Sequence, residues 1–229
     1  MRLFSSFAVL LIILLLGCLE KKAKIPDYKQ ANIAYDNGKF DSAIVLYSSI
    51  LKEFPDEYLA YYFRAGAKTN LNDYKGAIKD YTSSIEIREN DLMSFMSRGI
   101  CYSRIDSFKS AKNDFRKAIE INPKYFESYE NIGYLFFLEG QFDSALAYYN
   151  QSLKIQKRNL PTLFDRAKLY DSLKMYDKAI SDCDTILSID TLNSGIYKWR
   201  GELKQKAGDK KGAAEDLEMA KNLDDNKNQ

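Results

Sequence analysis

The chain has 229 residues with 34 basic and 32 acidic side chains, and 14% of its residues are aromatic. It contains no histidine, which excludes histidine-based acid–base catalysis and histidine-ligated metals, and its three cysteines form no Cys-x2-Cys pair for zinc or redox chemistry. The formal charge of +2, with the two signs interleaved, argues against nucleic-acid binding. We therefore expect no enzymatic activity, no cofactor, no metal ion and no nucleic-acid partner.

Residues 1–18 differ from the rest of the chain. Arg2 gives a short basic start, and the apolar run over residues 7–16 falls short of the roughly 20 residues that a membrane span needs. This pattern is typical of a secretory signal peptide. The run ends in Leu15-Leu16-Gly17-Cys18, which resembles the lipobox of bacterial lipoproteins. A plain signal peptide or a short anchor helix is the alternative interpretation.

The lipobox resemblance implies cleavage before Cys18 and acylation of its side chain. It divides this end of the chain into a signal peptide over residues 1–17 and a lipidated cysteine with a short tether over residues 18–25. Several acyl chains hold a protein firmly, because each buried CH2 contributes about 0.8 kcal/mol. We therefore expect a palmitate-type lipid anchor in a bacterial cell envelope, in the outer membrane rather than the inner one.

From residue 24 onward the sequence repeats with a period of 34 residues. Alanine holds the same place in six successive units, at Ala43, Ala77, Ala111, Ala145, Ala179 and Ala213. A small residue stands twelve positions before each alanine, and apolar residues recur within each unit in three- and four-residue steps. This spacing predicts two amphipathic helices per unit, which in the second unit cover residues 61–71 and 74–87.

The small residue, the aromatic residues around the alanine, and Pro55 or Pro123 near a unit end resemble the tetratricopeptide repeat (TPR). The resemblance covers residues 24–227 in six units, namely 24–57, 58–91, 92–125, 126–159, 160–193 and 194–227. It implies an all-α fold, a right-handed superhelical solenoid of about six helix–turn–helix units. We expect the polar sixth unit to cap the stack. Cys101 and Cys183 fall at packing positions, where we expect small buried side chains rather than a disulfide.

In TPR proteins the first helix of each unit lines a concave groove that holds a protein or peptide partner. The matching positions of this chain give the candidate partner-binding residues Tyr28, Asn32, Tyr35, Tyr62, Met93, Met96, Ile100, Tyr134 and Phe137. Packing between neighbouring helices is the alternative role for each of them. Further along, the lining turns polar at Lys168, Asp171, Lys198 and Glu202. The clamp that some TPR domains use for an acidic C-terminus is not matched, because only Asn32 fits it.

Four units carry an arginine and, 16 residues later, an aspartate. The pairs are Arg64 with Asp80, Arg98 with Asp114, Arg166 with Asp182, and Arg200 with Asp216. Units one and four lack both residues. This joint presence predicts an ion pair between the two helices of one unit, with a structural rather than a binding role.

Five Asp-Ser or Asp-Thr pairs precede an aliphatic residue, which resembles the O-glycosylation acceptor of some envelope proteins. The hydroxyl residues are Ser42, Ser144, Ser172, Thr185 and Thr191. We favour the alternative that these pairs begin helices, where their oxygens cap free backbone N–H groups.

The sequence therefore predicts a lipid-anchored TPR protein that acts as a protein–protein interaction adaptor or scaffold. Fold analogy adds a second possibility, an accessory factor in outer-membrane protein or pilus assembly. An enzyme subunit acting on cell-wall polymer is disfavoured by the missing histidine and motifs.

Overall fold

A computed structural model describes residues 25–227, so the predictions for Cys18, the signal peptide and most of the tether lie outside the described residues. Within that range the chain forms twelve α-helices and no strand. They are α1 (Lys29–Asp36), α2 (Phe40–Glu53), α3 (Tyr58–Asn70), α4 (Tyr74–Ile87), α5 (Leu92–Arg104), α6 (Phe108–Ile121), α7 (Phe126–Leu138), α8 (Phe142–Ile155), α9 (Leu160–Ser172), α10 (Tyr176–Leu187), α11 (Ser194–Ala207) and α12 (Lys210–Lys227). None of these helices is long and apolar enough to cross a bilayer. The all-α solenoid predicted from the repeat is confirmed.

Each unit contributes two helices, and the turn between them follows the same 34-residue period as the alanines. One residue of every turn has a positive φ, and these residues are Gly38, Asn72, Asp106, Gly140, Lys174 and Gly208. Glycine, asparagine and aspartate tolerate this left-handed conformation better than other residues do. Five of the six turns use such a residue. The repeat therefore specifies the backbone conformation of the turn in addition to the residues that pack in the core.

Three helix starts differ from the sequence interpretation. Helix α3 begins at Tyr58 rather than at residue 61, because its first turn includes Ala60, which is fully buried. Helices α2 and α8 begin at Phe40 and Phe142, and neither has a side-chain cap.

The Asp-Ser pairs of α2 and α8 therefore lie inside the first turn, and the capping interpretation is wrong for them. There Asp41 and Asp143 place a negative charge near the positive end of the helix dipole. The side chains that do cap helices are Asp73, Asp91, Asn159, Asn193 and Asp209.

The core lies between the two helices of each unit and between neighbouring units. All six period alanines are buried, and so are the residues four positions later in the first five units: Tyr47, Tyr81, Phe115, Tyr149 and Cys183. The small residue of the first helix faces this side chain closely. A Cβ added to Gly99 would lie 2.7 Å from the Phe115 ring, and one added to Gly133 would lie 2.8 Å from the Tyr149 ring. Close helix approach therefore depends on the small–aromatic pairing, and Cys101 and Cys183 are buried as expected.

Each of the four arginines lies against the aspartate of its own unit. The guanidinium donates two hydrogen bonds, from Nε and Nη2, to the two carboxylate oxygens over 2.6–2.9 Å. This bidentate geometry is the strong form of the arginine–carboxylate pair. The four aspartates are buried, so the pairs sit at the edge of the core rather than in open solvent.

The third nitrogen of each guanidinium joins the arginine to the preceding unit. Nη1 donates over 2.6–3.0 Å to a side-chain oxygen 16 residues earlier, on Ser48, Thr82, Asn150 or Asp184. The matching position before unit four is Arg116, which offers no acceptor, and unit four carries Ile132 in place of the arginine. Among the six described units, the arginine link is thus missing only between units three and four, where Lys112 and Glu139 form an ion pair of 2.6 Å instead.

Candidate functional site

The first helices of the six units are α1, α3, α5, α7, α9 and α11, and they carry all of the candidate partner-binding residues except Tyr28, which lies just before α1. We call the surface that they share the first-helix face. It has three parts with different exposure: a closed N-terminal part, a central cavity and a larger C-terminal cavity.

The N-terminal part is occupied by contacts within the protein. Asn32 accepts a hydrogen bond from the Tyr47 hydroxyl over 2.8 Å, and the Tyr35 hydroxyl accepts one from the Asn70 amide over 3.2 Å. The Tyr62 ring packs edge-on against Tyr81, with centroids 5.6 Å apart. Tyr28 packs similarly on the Phe63 ring. All four predicted residues are partly buried, and the contacts of Tyr28 and Tyr35 join unit one to unit two.

Met96 is not available to a partner. Its side chain is 4% exposed and lies in the core shared by units three and four. The Ser128 hydroxyl on α7 donates to its sulfur over 3.1 Å. The prediction of Met96 as a groove residue is wrong, because this position of α5 turns toward the next unit.

The central cavity lies between α5 and α7 and has a volume of about 440 Å3. Ile100, Tyr134 and Leu138 line it, and all three side chains are exposed. Met93 is exposed at the start of α5, whereas Phe137 is partly buried beside Phe142, with centroids 6.0 Å apart. The structure therefore brings Ile100 and Tyr134 together and leaves Phe137 as a packing residue.

The C-terminal cavity lies between α9 and α11 and has a volume of about 840 Å3. Its apolar lining comes from Leu160, Pro161, Phe164, Ile186, Ile196 and Trp199. The rings of Phe164 and Trp199 lie 5.2 Å apart between centroids, and Phe164 is 41% exposed. The cavity thus presents the exposed Phe164 ring and part of the half-buried Trp199 ring.

Charged side chains form the rim of the C-terminal cavity, as the sequence interpretation proposed for Lys168 and Asp171. The Lys206 ammonium donates to both oxygens of Asp171, at 2.8 and 3.0 Å, and this hydrogen bonding raises the pKa of Lys206. Lys198 and Glu202 are exposed on α11 outside the lining. The C-terminal end is therefore polar at its rim but apolar within.

Phe164 and Trp199 were missed by the sequence interpretation, although the repeat contains the signal for one of them. Phe164 holds the same place in unit five that Tyr28, Tyr62 and Met96 hold in earlier units. Trp199 lies one position later in its unit and has no aromatic counterpart at that place except Phe63. The period alone could therefore have located Phe164, whereas the place of the half-buried Trp199 in the cavity lining required the structure.

Comparison with protein families gives matches to the tetratricopeptide repeat over residues 28–91, 94–125, 115–147 and 160–191. Together these segments span more than half of the chain. A comparison with curated proteins gives no significant match.

Several solved structures share the fold. The C-terminal part of a TPR repeat-containing protein from Cytophaga hutchinsonii has a TM-score of 0.76 and 18% identity, and the match covers 86% of this chain and 79% of that one. PilW, described as a type IV pilus biogenesis factor, has a TM-score of 0.70 and 20% identity, with 82% and 87% covered. YrrB, described as a TPR protein with an unusual peptide-binding site, has a TM-score of 0.62 and 18% identity, with 77% and 91% covered.

The residue period, the paired helices, the family matches and the solved structures agree on one architecture. The chain belongs to the tetratricopeptide repeat family.

Proposed function

We propose that this protein is an interaction scaffold that binds a segment of a partner protein along the first-helix face and is tethered by lipid at Cys18 in a bacterial cell envelope. The observation that carries the binding proposal is the C-terminal cavity, where Phe164 and Trp199 present aromatic surface to solvent. Exposed aromatic side chains around a concavity are typical of binding surfaces, and aromatic residues dominate the energy of many interfaces.

The size of the cavity supports an occupant of side-chain dimensions. Its volume of about 840 Å3 lies within the range of about 300–1,000 Å3 that is usual for binding pockets. The central cavity lies on the same face and exposes Ile100, Tyr134 and Leu138. A partner segment that follows this face could therefore bury apolar side chains at two separate places.

Two of the related structures add context to the proposal. YrrB is described as having a peptide-binding site and PilW as a factor in pilus biogenesis, and each likeness to this chain extends to the fold. They support a partner-binding role and give pilus assembly as one process in which such a scaffold operates.

Replacing Phe164 by alanine is expected to weaken partner binding at least about tenfold, because truncating a central aromatic residue of an interface costs upwards of about 1.4 kcal/mol. A photo-crosslinking amino acid at Tyr134 identifies the partner in intact cells, and a titration with the purified partner gives the affinity. Val45→Ala is the matched control, because Val45 is an equally apolar, exposed residue on the second helix of its unit. Equal affinities for Phe164→Ala and Val45→Ala would place binding elsewhere.

Replacing Cys18 by serine is expected to abolish acylation, because the cysteine thiol is the lipid acceptor, and with it the cleavage before residue 18. Intact-mass measurement tests this: wild type is expected to lose residues 1–17 and gain the acyl chains, and the variant to do neither. A plain anchor helix predicts instead that wild type and variant differ in mass only by the substitution.

A further inference from the structure

Three carboxylate residues stand 34 positions, or one repeat, before residues that line the C-terminal cavity. Glu127 and Glu130 precede Pro161 and Phe164 by 34 residues, and Asp165 precedes Trp199 by the same distance. The surface between α7 and α9 therefore repeats the positions of the cavity between α9 and α11, with acids in place of apolar side chains. We call Glu127, Glu130 and Asp165 the acidic notch.

The carboxylates of the acidic notch interact with one another and with a buried tyrosine. Glu130 accepts a hydrogen bond from the Thr162 hydroxyl at the start of α9, which brings it to the same side as Asp165. Burial, together with the negative charges of Asp165 and Glu130, raises the pKa of the Tyr149 hydroxyl. Tyr149 is fully buried, and its hydroxyl has no hydrogen-bond partner within residues 25–227. One carboxylate oxygen of Glu127 is likewise buried without a partner there.

No cation neutralises the acidic notch in the part of the chain that the structure describes. The ion pairs of residues 25–227 do not include Glu127, Glu130 or Asp165. Lys168, one turn after Asp165, interacts with it electrostatically from beyond ion-pair distance and lies over the Phe164 ring. Burial, followed in the case of Glu130 by the charges of Asp165 and Glu127, raises the pKa of both Glu130 and Asp165.

This arrangement is unfavourable for the isolated protein. A carboxyl group of this kind has a higher pKa in the folded than in the unfolded state. As the pH rises from the unfolded-state pKa to the folded-state pKa, the free energy of unfolding falls, and above the folded-state pKa the whole loss of stability is present. Partly buried carboxylates that form no ion pair are therefore candidates for a binding role, in which a ligand supplies the paired charge.

A cationic side chain fits the acidic notch better than a metal ion does. No group of three acidic or cysteine side chains among residues 25–227 converges closely enough to ligate a metal. A guanidinium or an ammonium group instead carries several donors on a long side chain and can reach separated acceptors. The half-buried carboxylates of Glu130 on α7 and Asp165 on α9 are such separated acceptors.

We propose that the acidic notch receives an arginine or lysine side chain of the partner segment whose apolar side chain occupies the C-terminal cavity. This inference rests on the proposed function and adds the chemistry of the partner. Helices that pack together lie about 8–10 Å apart, and a chain in the polyproline II conformation advances about 3.1 Å per residue with three residues per turn. In such a partner segment, basic and apolar residues that face the same side and span this distance therefore stand about three positions apart.

Selection from a random peptide library tests this directly. The full-length chain, held in detergent micelles, is used as bait at neutral pH, in parallel with the Glu130→Gln/Asp165→Asn double variant and each single variant. Wild type is expected to enrich peptides with an arginine or lysine about three positions from a bulky apolar residue, and the double variant to lose the basic preference while keeping the apolar one. Glu89→Gln, at an exposed acid outside the first-helix face, is the matched control and keeps both preferences.

A selected peptide then gives the energetic test. Changing its basic residue to glutamine is expected to weaken binding to wild type at least about tenfold and to leave binding to the double variant nearly unchanged. The variants are expected to melt no lower than wild type at neutral pH, because amides remove buried charge while the glutamine of Glu130→Gln retains a side-chain oxygen for Thr162.

Each outcome bears on a different proposal. Enrichment of apolar peptides without a basic preference, or a basic preference that survives in the variants, overturns the acidic notch as a cation site and leaves the proposed function standing. The absence of any enriched peptide overturns the proposed function, and this inference with it.

Discussion

Replacing Arg98 by alanine is expected to lower the free energy of unfolding by roughly 3–5 kcal/mol, the usual cost of removing one partner from a buried ion pair. Asp114 is buried and receives both of its hydrogen bonds from this guanidinium. The substitution also removes the bond to Thr82, and with it the link from unit three to unit two. The loss thus combines an orphaned buried charge with a weakened contact between repeats.

Chemical denaturation with a double-mutant cycle over Arg98→Ala and Asp114→Asn measures this effect. We expect a coupling free energy of at least about 1.5 kcal/mol, since the two residues act as one bidentate unit. Arg116→Ala is the control, because Arg116 is exposed and makes only a long bond of 3.4 Å to Asn113. Coupling near zero, or a loss no larger than that of Arg116→Ala, would show that the pair contributes little to stability.

Replacing Phe115 by alanine is expected to cost a similar amount, about 3–5 kcal/mol, as for other large-to-small changes at buried aromatic residues. The Phe115 ring is 1% exposed and packs against Gly99, which has no side chain to fill the space that the ring would leave. Because backbone faces the cavity on that side, relaxation around it is limited.

The repeat supplies a control at the same position of the last unit. Leu217 corresponds to Phe115 but is 39% exposed, whereas the residues at this position in the first five units are buried. Leu217→Ala is therefore expected to cost less than about 1 kcal/mol in the same denaturation experiment, because little apolar surface is lost from the core. Similar losses for the two variants would show that burial at this position is not what stabilises the solenoid.

The fold could be predicted from the sequence because the repeat presents the same signals six times. One degenerate unit is weak evidence, whereas an alanine, a small residue and an aromatic residue in constant phase define helix pairs and their packing. The exact start of α3 could not be predicted, because Ala60 belongs to the helix through its contact with the preceding unit. Such a contact is tertiary and leaves no mark in the local pattern.

The candidate site was less predictable, since exposure depends on what each neighbouring unit contributes. Met96 and Phe164 hold the same repeat position, yet Met96 is buried against Ser128 and Phe164 is exposed beside Trp199. Position in the repeat sets the direction of a side chain, and the size of the facing side chains decides whether a cavity remains. The acidic notch illustrates the same limit, because its carboxylates resemble ordinary surface acids until their burial is known.

The interruption of the arginine links has a consequence for how the solenoid unfolds. Units one to three and units four to six form two blocks that are each joined internally by guanidinium bridges, while Lys112, Glu139 and apolar packing join the blocks to each other. In a nearest-neighbour description of repeat-protein folding, stability is a sum of unit terms and interface terms. Here a single interface term cannot describe all junctions, because the arginine that links neighbouring units is replaced by isoleucine at Ile132. The cooperativity of unfolding therefore depends on which residue stands at this one position of the repeat.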